Sequence, residues 1–245
     1  MNSVSRYYLP SEQWQPNQLK LTGDEAHHCT RVLRSKEGDQ IEIFDGKGIS
    51  AYGEIVALNK DQVMVNLTSK PTQVPKSSEI HLIQSIPKGG NMELIVQKAV
   101  ELGISSIQPL ITENTVARPE QMQKKMAKWQ RIALEACKQC GQNYLPTIHP
   151  VAKFSDWIKT NDPSDLKLVA ALLPESQSMH HIFKQVEERT SASFLIGPEG
   201  DFSDNEYQQI LAAEYQPVSL GSIVLRVETA TLYCLSVIKY ELEMQ

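Results

Sequence analysis

The sequence contains no hydrophobic run long enough to cross a bilayer and no leader-like start. A spanning helix needs about 20 consecutive apolar residues. The first residues, MNSVSRYYLP, lack the basic stretch followed by an apolar stretch that a secretory signal requires. Both observations argue against a membrane or secreted protein. We expect a cytoplasmic protein without a membrane partner.

The sequence also has few cysteines and no net positive charge. The 245 residues include four cysteines, too few and too scattered for a disulfide framework, so we expect free thiols. Because the formal net charge is −5, any contact with nucleic acid has to come from local basic patches. The glycine motifs of dinucleotide-binding and P-loop proteins are missing too, which argues against a dehydrogenase or an NTPase.

Two short patterns that resemble metal sites are explained more simply by helices. Cys137 and Cys140 form a lone CxxC on the apolar stripe of a predicted helix, without a second cysteine pair. The histidine pairs at 27–28 and 180–181 lack ligand spacing to any cysteine or carboxylate cluster. We therefore expect no metal site.

The N-terminal part, residues 1–70, has the pattern of a small β-barrel with one helix. Thr22 and Glu25 have the spacing of a capping box, which predicts a helix that continues to Leu33. Alternating apolar residues predict the strands 41–43, 51–58 and 63–67. Residues 71–78, with two prolines and little to bury, are predicted to be a linker.

Residues 79–245 have a different pattern, in which strand-like runs alternate with longer helical patterns. This alternation is typical of βαβ units and a mostly parallel sheet, so we predict an α/β domain. The predicted strands are 80–86, 104–111, 166–173, 193–196 and 217–220. The predicted helices are 92–102, 119–140, 178–189, 203–213 and 228–243.

One strand exit of this domain could hold a ligand. The stretch FLIGPEGDFSDNE, residues 194–206, runs from a strand into a helix that begins with the capping box of Ser203 and Glu206. In open α/β sheets such connections form the ligand crevice, where glycine lets backbone approach a ligand and proline shapes the loop. A tight turn without a ligand explains the same residues equally well.

A second stretch, LGSIVLRVETA at residues 220–230, repeats this design before the C-terminal helix. Arg226 lies between Leu225 and Val227, where an unpaired charge is costly to bury, so we expect a carboxylate or an anionic ligand to face it. Glu228 falls just before or within the first turn of the helix. It either complements the helix dipole or takes part in catalysis.

Both stretches closely resemble the C-terminal motifs of the RsmE-type small-subunit (16S) ribosomal RNA uridine-N3 methyltransferases, members of the SPOUT superfamily. The resemblance covers nearly the whole chain. It extends to KGGNMELIVQKAVELG (88–103), to EACKQCGQNYLP (135–146), and to RVLR (31–34) with FDG (44–46).

The resemblance implies a PUA-like β-barrel domain followed by a SPOUT α/β domain with a C-terminal trefoil knot. It also implies a homodimer, because SPOUT cofactor sites lie at subunit contacts. The implied cofactor is S-adenosylmethionine, which the resemblance predicts to be held mostly by main-chain groups. The implied cofactor-binding residues are Leu172, Leu173, Pro174, Ile196, Gly197, Pro198, Glu199, Gly200, Ser219, Leu220, Gly221, Ile223, Leu225 and Thr229.

The implied reaction transfers a methyl group to N3 of a uridine in the RNA of the small ribosomal subunit. The enzyme has to help the N3 proton leave and to stabilise the charge that spreads onto the flanking carbonyl oxygens. We assign the electrostatic role to Arg226 and the proton-accepting role to Glu228 or water. The residues expected to contact RNA are Arg6, Arg31, Arg34, Lys36, Lys88, Lys98, Lys124, Lys128 and Arg131.

The chain departs from the family pattern at four positions. Asn114, Gln142 and Ile223 stand where the family usually has arginine, and Asp201 stands where GPEGG is usual. The alternative function is therefore a catalytically weak or inactive paralogue that binds RNA or the ribosome.

Overall fold

The protein is described here from a computed structural model that covers residues 4–76, 78–116, 122–185 and 189–243. Contacts between Cα atoms divide the chain into two compact units. Unit 1 contains Met1–Lys76 and Cys137–Leu145, and unit 2 contains Ser77–Ala136 and Pro146–Gln245. The contiguous domains expected from the sequence differ from this division, because residues 137–145 cluster with unit 1.

Unit 1 is built on one curled, six-stranded sheet. Its strands are β1 (Ser5–Tyr8), β2 (Gln18–Thr22), β3 (Gln40–Phe44), β4 (Ile49–Leu58), β5 (Gln62–Leu67) and β6 (Thr72–Gln73). The order is β1-β3-β4-β5-β2, with β6 paired to β4, and within this sheet only the β1–β3 pair is parallel among the described residues. The predicted alternation is confirmed, because Ile41, Ile43, Val63 and Val65 all lie in one buried core.

A short helix packs against this sheet, and α1 (Gly23–His27) begins where the sequence predicts it. A π-helical turn, His28–Val32, continues the chain. Thr22 is the N-cap residue, but its side chain makes no capping hydrogen bond, so the predicted capping box does not form. The predicted linker is also shorter than expected, because Thr72 pairs with Ser50 and Gln73 with Ile49 in the β6–β4 ladder.

Residues 137–145 belong to unit 1 because their backbone bonds to the β3–β4 turn. The Gly48 amide donates to the Asn143 carbonyl at 3.1 Å, and the Leu145 amide donates to the Gly46 carbonyl at 2.9 Å. Gly48 has φ +101°, and a Cβ there would lie 2.4 Å from the Tyr144 ring. Glycine is therefore required for this close approach.

Unit 2 contains an eight-stranded sheet in which every described pair is parallel. Its order is β10-β8-β7-β13-β11-β14-β12, and β9 pairs with β8. The strands are β7 (Glu79–Ser85), β8 (Ser106–Ile111), β9 (Thr147–Ile148), β10 (Ala152–Lys153), β11 (Leu166–Ala170), β12 (Gln177–Ser178), β13 (Ser191–Ile196) and β14 (Gln216–Ser219). Parallel strands need crossover connections, which explains the strand–helix alternation of the sequence.

The helices of the second part of the chain are α2 (Asn91–Glu101), α3 (Met122–Cys140), α4 (Phe154–Trp157), α5 (Met179–Phe183), α6 (Asp204–Ala212) and α7 (Val227–Glu243). Two predicted elements are too long: β11 ends at Ala170 rather than at 173, and α5 ends at Phe183 rather than at 189. Parts of two predicted helices, residues 119–121 and 186–188, lie outside the described residues.

No helix among the described residues combines the length and the apolar composition that a bilayer crossing requires. The capping box predicted at the start of α6 is confirmed. Ser203 Oγ accepts a hydrogen bond from the Glu206 amide, and the Glu206 carboxylate accepts one from the Ser203 amide.

Candidate active site

A cavity of about 500 Å³ opens in unit 2 where β11, β13 and β14 end. These strands are neighbours in the sheet and run parallel, so their carboxyl ends meet at one edge. The loop residues Leu172, Pro198 and Leu220 line the cavity on the strand side, and the start of α7 lines the other side. This is the position at which open α/β sheets bind ligands.

Most of the residues implied to bind the cofactor line this cavity. They are Leu172, Ile196, Gly197, Pro198, Glu199, Leu220, Gly221, Ile223 and Leu225. Leu173, Pro174, Gly200, Ser219 and Thr229 are not among the lining residues. Leu173 packs against the hydrophobic core of unit 2, and the Gly200 carbonyl accepts a hydrogen bond from Asn114.

The sequence reasoning missed several lining residues, namely Asn91, Ala170, Ala171, Asp201, Val224, Val227 and Ala230. Most of these adjoin residues that were predicted, so a wider window around each strand exit would have included them. Asn91 is different. It lies in another motif, 137 positions from Glu228, and no local pattern links the two.

The cavity is bordered by backbone that side chains do not cover. Gly221 has φ +117°, which favours glycine, and a Cβ built there would meet no atom within 4 Å. Gly197 is closely packed instead, because a Cβ there would lie 3.1 Å from Asp201 Oδ1 and 3.2 Å from the Phe202 ring. The first glycine thus leaves backbone open to a ligand, and the second keeps the loop compact.

The middle of the loop after β13 is held by hydrogen bonds from two other segments. The Lys88 amide donates to Glu199 Oε1 at 2.9 Å. Asn114 Nδ2 donates to the carbonyls of Gly200 and Asp201, both at 3.0 Å. Asn114, one of the departures from the family pattern, therefore supports the loop that lines the cavity.

Asp201, the second departure, adopts φ +59°, a left-handed conformation that Asp tolerates better than most residues. Its Oδ1 accepts hydrogen bonds from the Phe202 amide at 2.8 Å and from the Tyr207 hydroxyl at 2.7 Å. Burial raises the pKa of Tyr207, and the hydrogen bond and charge of Asp201 raise it further. Tyr207 therefore stays protonated and acts as a donor to the loop.

Arg226 and Glu228 lie at the start of α7, as predicted, and both line the cavity. Arg226 is exposed rather than enclosed by Leu225 and Val227, and no ion pair with it is formed within the described residues. Of the two expected partners, a carboxylate does not pair with Arg226 within the described residues, and an anionic ligand at the cavity stays a prediction. Glu228 accepts a hydrogen bond from Asn91 Nδ2 at 3.2 Å.

A buried hydrogen bond holds the first turns of α7 against the sheet. Thr231 Oγ1 donates to Gln84 Oε1 on β7 at 2.8 Å, and both side chains are fully buried. Because a buried polar group is costly to leave unpaired, this bond favours one position of the helix. Arg226 and Glu228 are thus presented to the cavity from a rigid element.

Arg6 cannot contact RNA as predicted, since it is enclosed within unit 1. Its side chain is only 8% exposed, and its Nε pairs with Glu42 Oε2 at 2.9 Å. It also donates to the Cys137 carbonyl at 2.8 Å and to Asn143 Oδ1. The guanidinium therefore joins residues 137–145 to β3 and stabilises unit 1.

The other predicted RNA contacts lie at the surfaces of their units. In unit 1, Arg31, Arg34 and Lys36 are exposed beside the exposed side chains of Val32 and Leu33. In unit 2, the exposed cations are Lys88 and, on one face of α3, Lys124, Lys128 and Arg131. Lys128 pairs with Glu93 and Lys98 pairs with Glu101, so these two lysines already have partners.

Across the described parts of the chain, no three His, Cys, Asp or Glu side chains are grouped so that they could hold a metal ion. Cys137 is buried, and burial raises the pKa of its thiol to about 12. The thiol is therefore protonated at neutral pH, which disfavours metal ligation.

The comparisons with known proteins agree with the class that the fold and cavity define, an α/β enzyme with a ligand site at its strand ends. The family model of an RNA methyltransferase domain matches residues 74–239, and that of an RNA methyltransferase PUA domain matches residues 21–67. The chain therefore belongs to the RNA methyltransferase family. The predicted pair of domains, PUA-like and α/β, is confirmed.

Within this family, the chain is similar over its length to ribosomal RNA small subunit methyltransferases E. The relative from Bacillus subtilis is 28% identical over 98% of each chain. The relative from Synechocystis is 31% identical over 97% of this chain and 78% of its own.

Solved structures are similar to the whole fold. A putative methyltransferase from Legionella pneumophila, in complex with the bound cofactor SAM, is 34% identical with a TM-score of 0.87 over 97% of this chain and 98% of its own. The methyltransferase E from Neisseria gonorrhoeae, bound to S-adenosyl methionine, is 29% identical with the same TM-score and the same coverage.

Proposed function

We propose that this protein is an S-adenosylmethionine-dependent methyltransferase that methylates N3 of a uridine in the RNA of the small ribosomal subunit. The observation that carries the proposal is the cavity at the strand exits of unit 2, lined by a carboxylate and by an arginine that makes no ion pair with any described residue. The family of the chain and its structural neighbours with bound S-adenosylmethionine support methyl transfer from this cofactor to RNA.

The residues around the cavity fit a cofactor that is part apolar and part cationic. Leu172, Ile223 and Leu225 supply apolar surface, and the absence of a side chain at Gly221 lets a ligand approach the backbone there. Glu199 supplies negative charge at the same cavity. When bound, S-adenosylmethionine supplies a methyl group on a positively charged sulfur.

The chemical problem for the protein is the uracil base. N3 of uracil carries a proton at neutral pH, and its removal spreads negative charge onto the two flanking carbonyl oxygens. Arg226 can stabilise this charge because its guanidinium is exposed at the cavity and makes no ion pair within the described residues. Glu228 lies two residues after Arg226 and lines the same cavity. It therefore accepts the N3 proton, either directly or through a water molecule.

The RNA is held by cations at the surfaces of the two units. Arg31, Arg34 and Lys36 form a group in unit 1 that has no ion pair within the described residues. Lys124 and Arg131 lie on one face of α3, at helical spacing. Such groups attract phosphates although the net charge of the chain is −5.

The proposed assembly is a homodimer in the cytoplasm, and the proposed topology around β11, β13 and β14 is a trefoil knot. Exposed apolar residues around the cavity support the dimer, because Ile223 and Val224 are 71% and 78% exposed in the single chain. The sheet order supports the knot, because β11 lies between β13 and β14. A monomer in sedimentation equilibrium would contradict the dimer.

Arg226→Ala tests the proposed mechanism. We expect the rate of methyl transfer to small ribosomal subunits to fall by about 10²- to 10³-fold, because a donor aimed at developing charge is lost. The affinity for S-adenosylmethionine, measured by calorimetry, should change little. The matched control is Lys184→Ala, an exposed cation at the end of α5.

Equal rates for parent and Arg226→Ala would remove the electrostatic role of Arg226. A parent protein that binds ribosomal RNA but neither binds the cofactor nor transfers a methyl group would favour the alternative of an inactive paralogue. Mass spectrometry of ribosomal RNA nucleosides identifies the modified base.

A further inference from the structure

We infer that Asn91 is a positioning residue for methyl transfer, which orients the Glu228 carboxylate at the cavity. The inference rests on the proposed function, and it adds a residue from a separate motif. Asn91 is the first residue of α2 and lines the cavity, and its Nδ2 donates to Glu228 Oε2 at 3.2 Å.

The choice of an amide as the donor has a chemical consequence. The terminal torsion of a glutamate side chain is broad, so a carboxylate without a partner samples many orientations. Asn91 fixes one oxygen of Glu228 and leaves Oε1 without a hydrogen bond within the described residues. Because asparagine is neutral, it orients the carboxylate without adding a charge that would oppose proton uptake.

The turn before α2 is shaped so that it reaches two carboxylates of the same cavity. The Lys88 amide donates to Glu199 Oε1, and three residues later Asn91 donates to Glu228. Between them, Gly89 has φ +66°, a left-handed conformation that glycine adopts at no steric cost. The turn from 88 to 91 thus connects the loop after β13 to the start of α7.

Both partners of the Asn91–Glu228 bond are held in place. Asn91 is half-buried at the start of α2, which packs along α7. Glu228 lies in the first turn of α7, and Thr231 of the next turn bonds to Gln84 on β7. The bond therefore joins two fixed helix starts, and this is the condition under which a hydrogen bond sets an orientation.

The charges that face Glu228 come from several elements. Arg226 precedes it on its own segment, and the loop after β13 contributes Glu199 and Asp201 to the same cavity. On α2, Glu93 is paired with Lys128, while β7 presents the neutral side chains of Gln84 and Ser85. Asn91 is the neutral donor of this group, so a negative charge at position 91 would act directly on Glu228.

The test compares Asn91→Asp and Asn91→Ala with the parent. Asn91→Asp keeps the shape but replaces the donor by a second carboxylate, and two close carboxylates resist ionising together. We expect kcat to fall about tenfold or more, the acidic limb of the pH–rate profile to move to higher pH, and KM for the small subunit to stay unchanged. Asn91→Ala should lower kcat less than Asn91→Asp does, and it should shift the acidic limb of the pH–rate profile by less.

The matched control is Asn205→Asp, which adds the same charge in the first turn of α6 in the same unit, at an exposed position outside the cavity. It should leave kcat and the pH profile unchanged. In the Glu228→Gln background, Asn91→Asp should have almost no further effect, because the two residues act as one pair.

A second measurement is independent of activity. In protein with ¹³C-labelled glutamate, the Glu228 carboxyl signal should titrate at higher pH in Asn91→Asp than in the parent. Equal titration, or full additivity of the two substitutions in kcat, would overturn the positioning role of Asn91. A parent without methyl transfer that still shows the shifted titration would overturn the proposed function but not the Asn91–Glu228 coupling.

Discussion

At the scale of single residues, the partner of a charged side chain decides its role, and sequence neighbours do not reveal that partner. Arg226 stands between two apolar residues and is exposed at a cavity, whereas Arg6 stands near the N-terminus and is enclosed by Glu42 and Asn143. The difference arises because residues 137–145 contact the face of β1 that carries Arg6, opposite to the core-facing Tyr7, whereas Arg226 lies in a loop at a strand exit and is exposed.

Asn114 gives a prediction at this scale. Asn114→Ala removes both hydrogen bonds to the loop carbonyls of Gly200 and Asp201. Each such bond contributes about 0.5–1.5 kcal/mol, so we expect the Kd for S-adenosylmethionine to rise about 5- to 150-fold in calorimetric titrations. Asn205→Ala, on an exposed surface, is the control. An unchanged Kd would mean that the loop keeps its shape without Asn114.

At the scale of elements, strand starts and helix starts in unit 2 are held by side chains from distant parts of the chain. Asp165, just before β11, is an example. Its Oδ2 accepts hydrogen bonds from the amides and hydroxyls of Thr190 and Ser191, at 2.9–3.2 Å. These bonds hold the starts of β11 and β13 side by side, although the strands lie about 25 residues apart.

The hydrogen bonds to Asp165, first that of the Thr190 amide and then that of the Ser191 hydroxyl, lower the pKa of the Asp165 carboxyl from its usual 3.8. A lowered folded-state pKa means that this stabilisation is complete above about pH 4 and is lost as the pH falls through the lower value. Asp165→Asn should therefore lower Tm more at pH 7 than near pH 2. Equal Tm differences at both pH values would contradict this origin.

At the scale of the whole molecule, the acidic chain must bind an anionic polymer through groups of cations. Arg31 and Arg34 follow the short helix of unit 1 and are exposed, and the side chains of Val32 and Leu33 between them are exposed as well. Arginine in such a group releases counterions from RNA when it contacts phosphate.

The proposed RNA contact of Arg31 predicts a change in salt dependence. If Arg31 contacts one phosphate, Arg31→Gln should weaken binding and reduce the slope of log K against log salt concentration by about 0.7–0.9. Filter binding of small-subunit RNA at several salt concentrations measures this slope. Lys47→Gln, in an exposed pair with Glu12 of the same unit, serves as the control. If the plots of log K against log salt concentration for Arg31→Gln and the parent have the same slope, Arg31 does not contact a phosphate.

The sequence by itself determined the features that depend on neighbours a few residues apart. The alternation of strands and helices, the capping box at Ser203, the glycine-containing strand exits and the family motifs are all of this kind, and they predicted both domains and most of the cavity lining. Strand and helix lengths were less accurate, as at β11, because local patterns do not encode where packing ends.

Only the tertiary structure decided which distant residues meet. The sheet order brings three strand exits to one cavity, and the packing of α2 along α7 brings Asn91 to Glu228. Unit 1 likewise takes residues 137–145 from a later part of the chain and encloses Arg6. Such contacts depend on the path of the whole chain. A hydrogen bond requires that its two partners are close in space, and the residues between them in the sequence do not indicate which partners will meet.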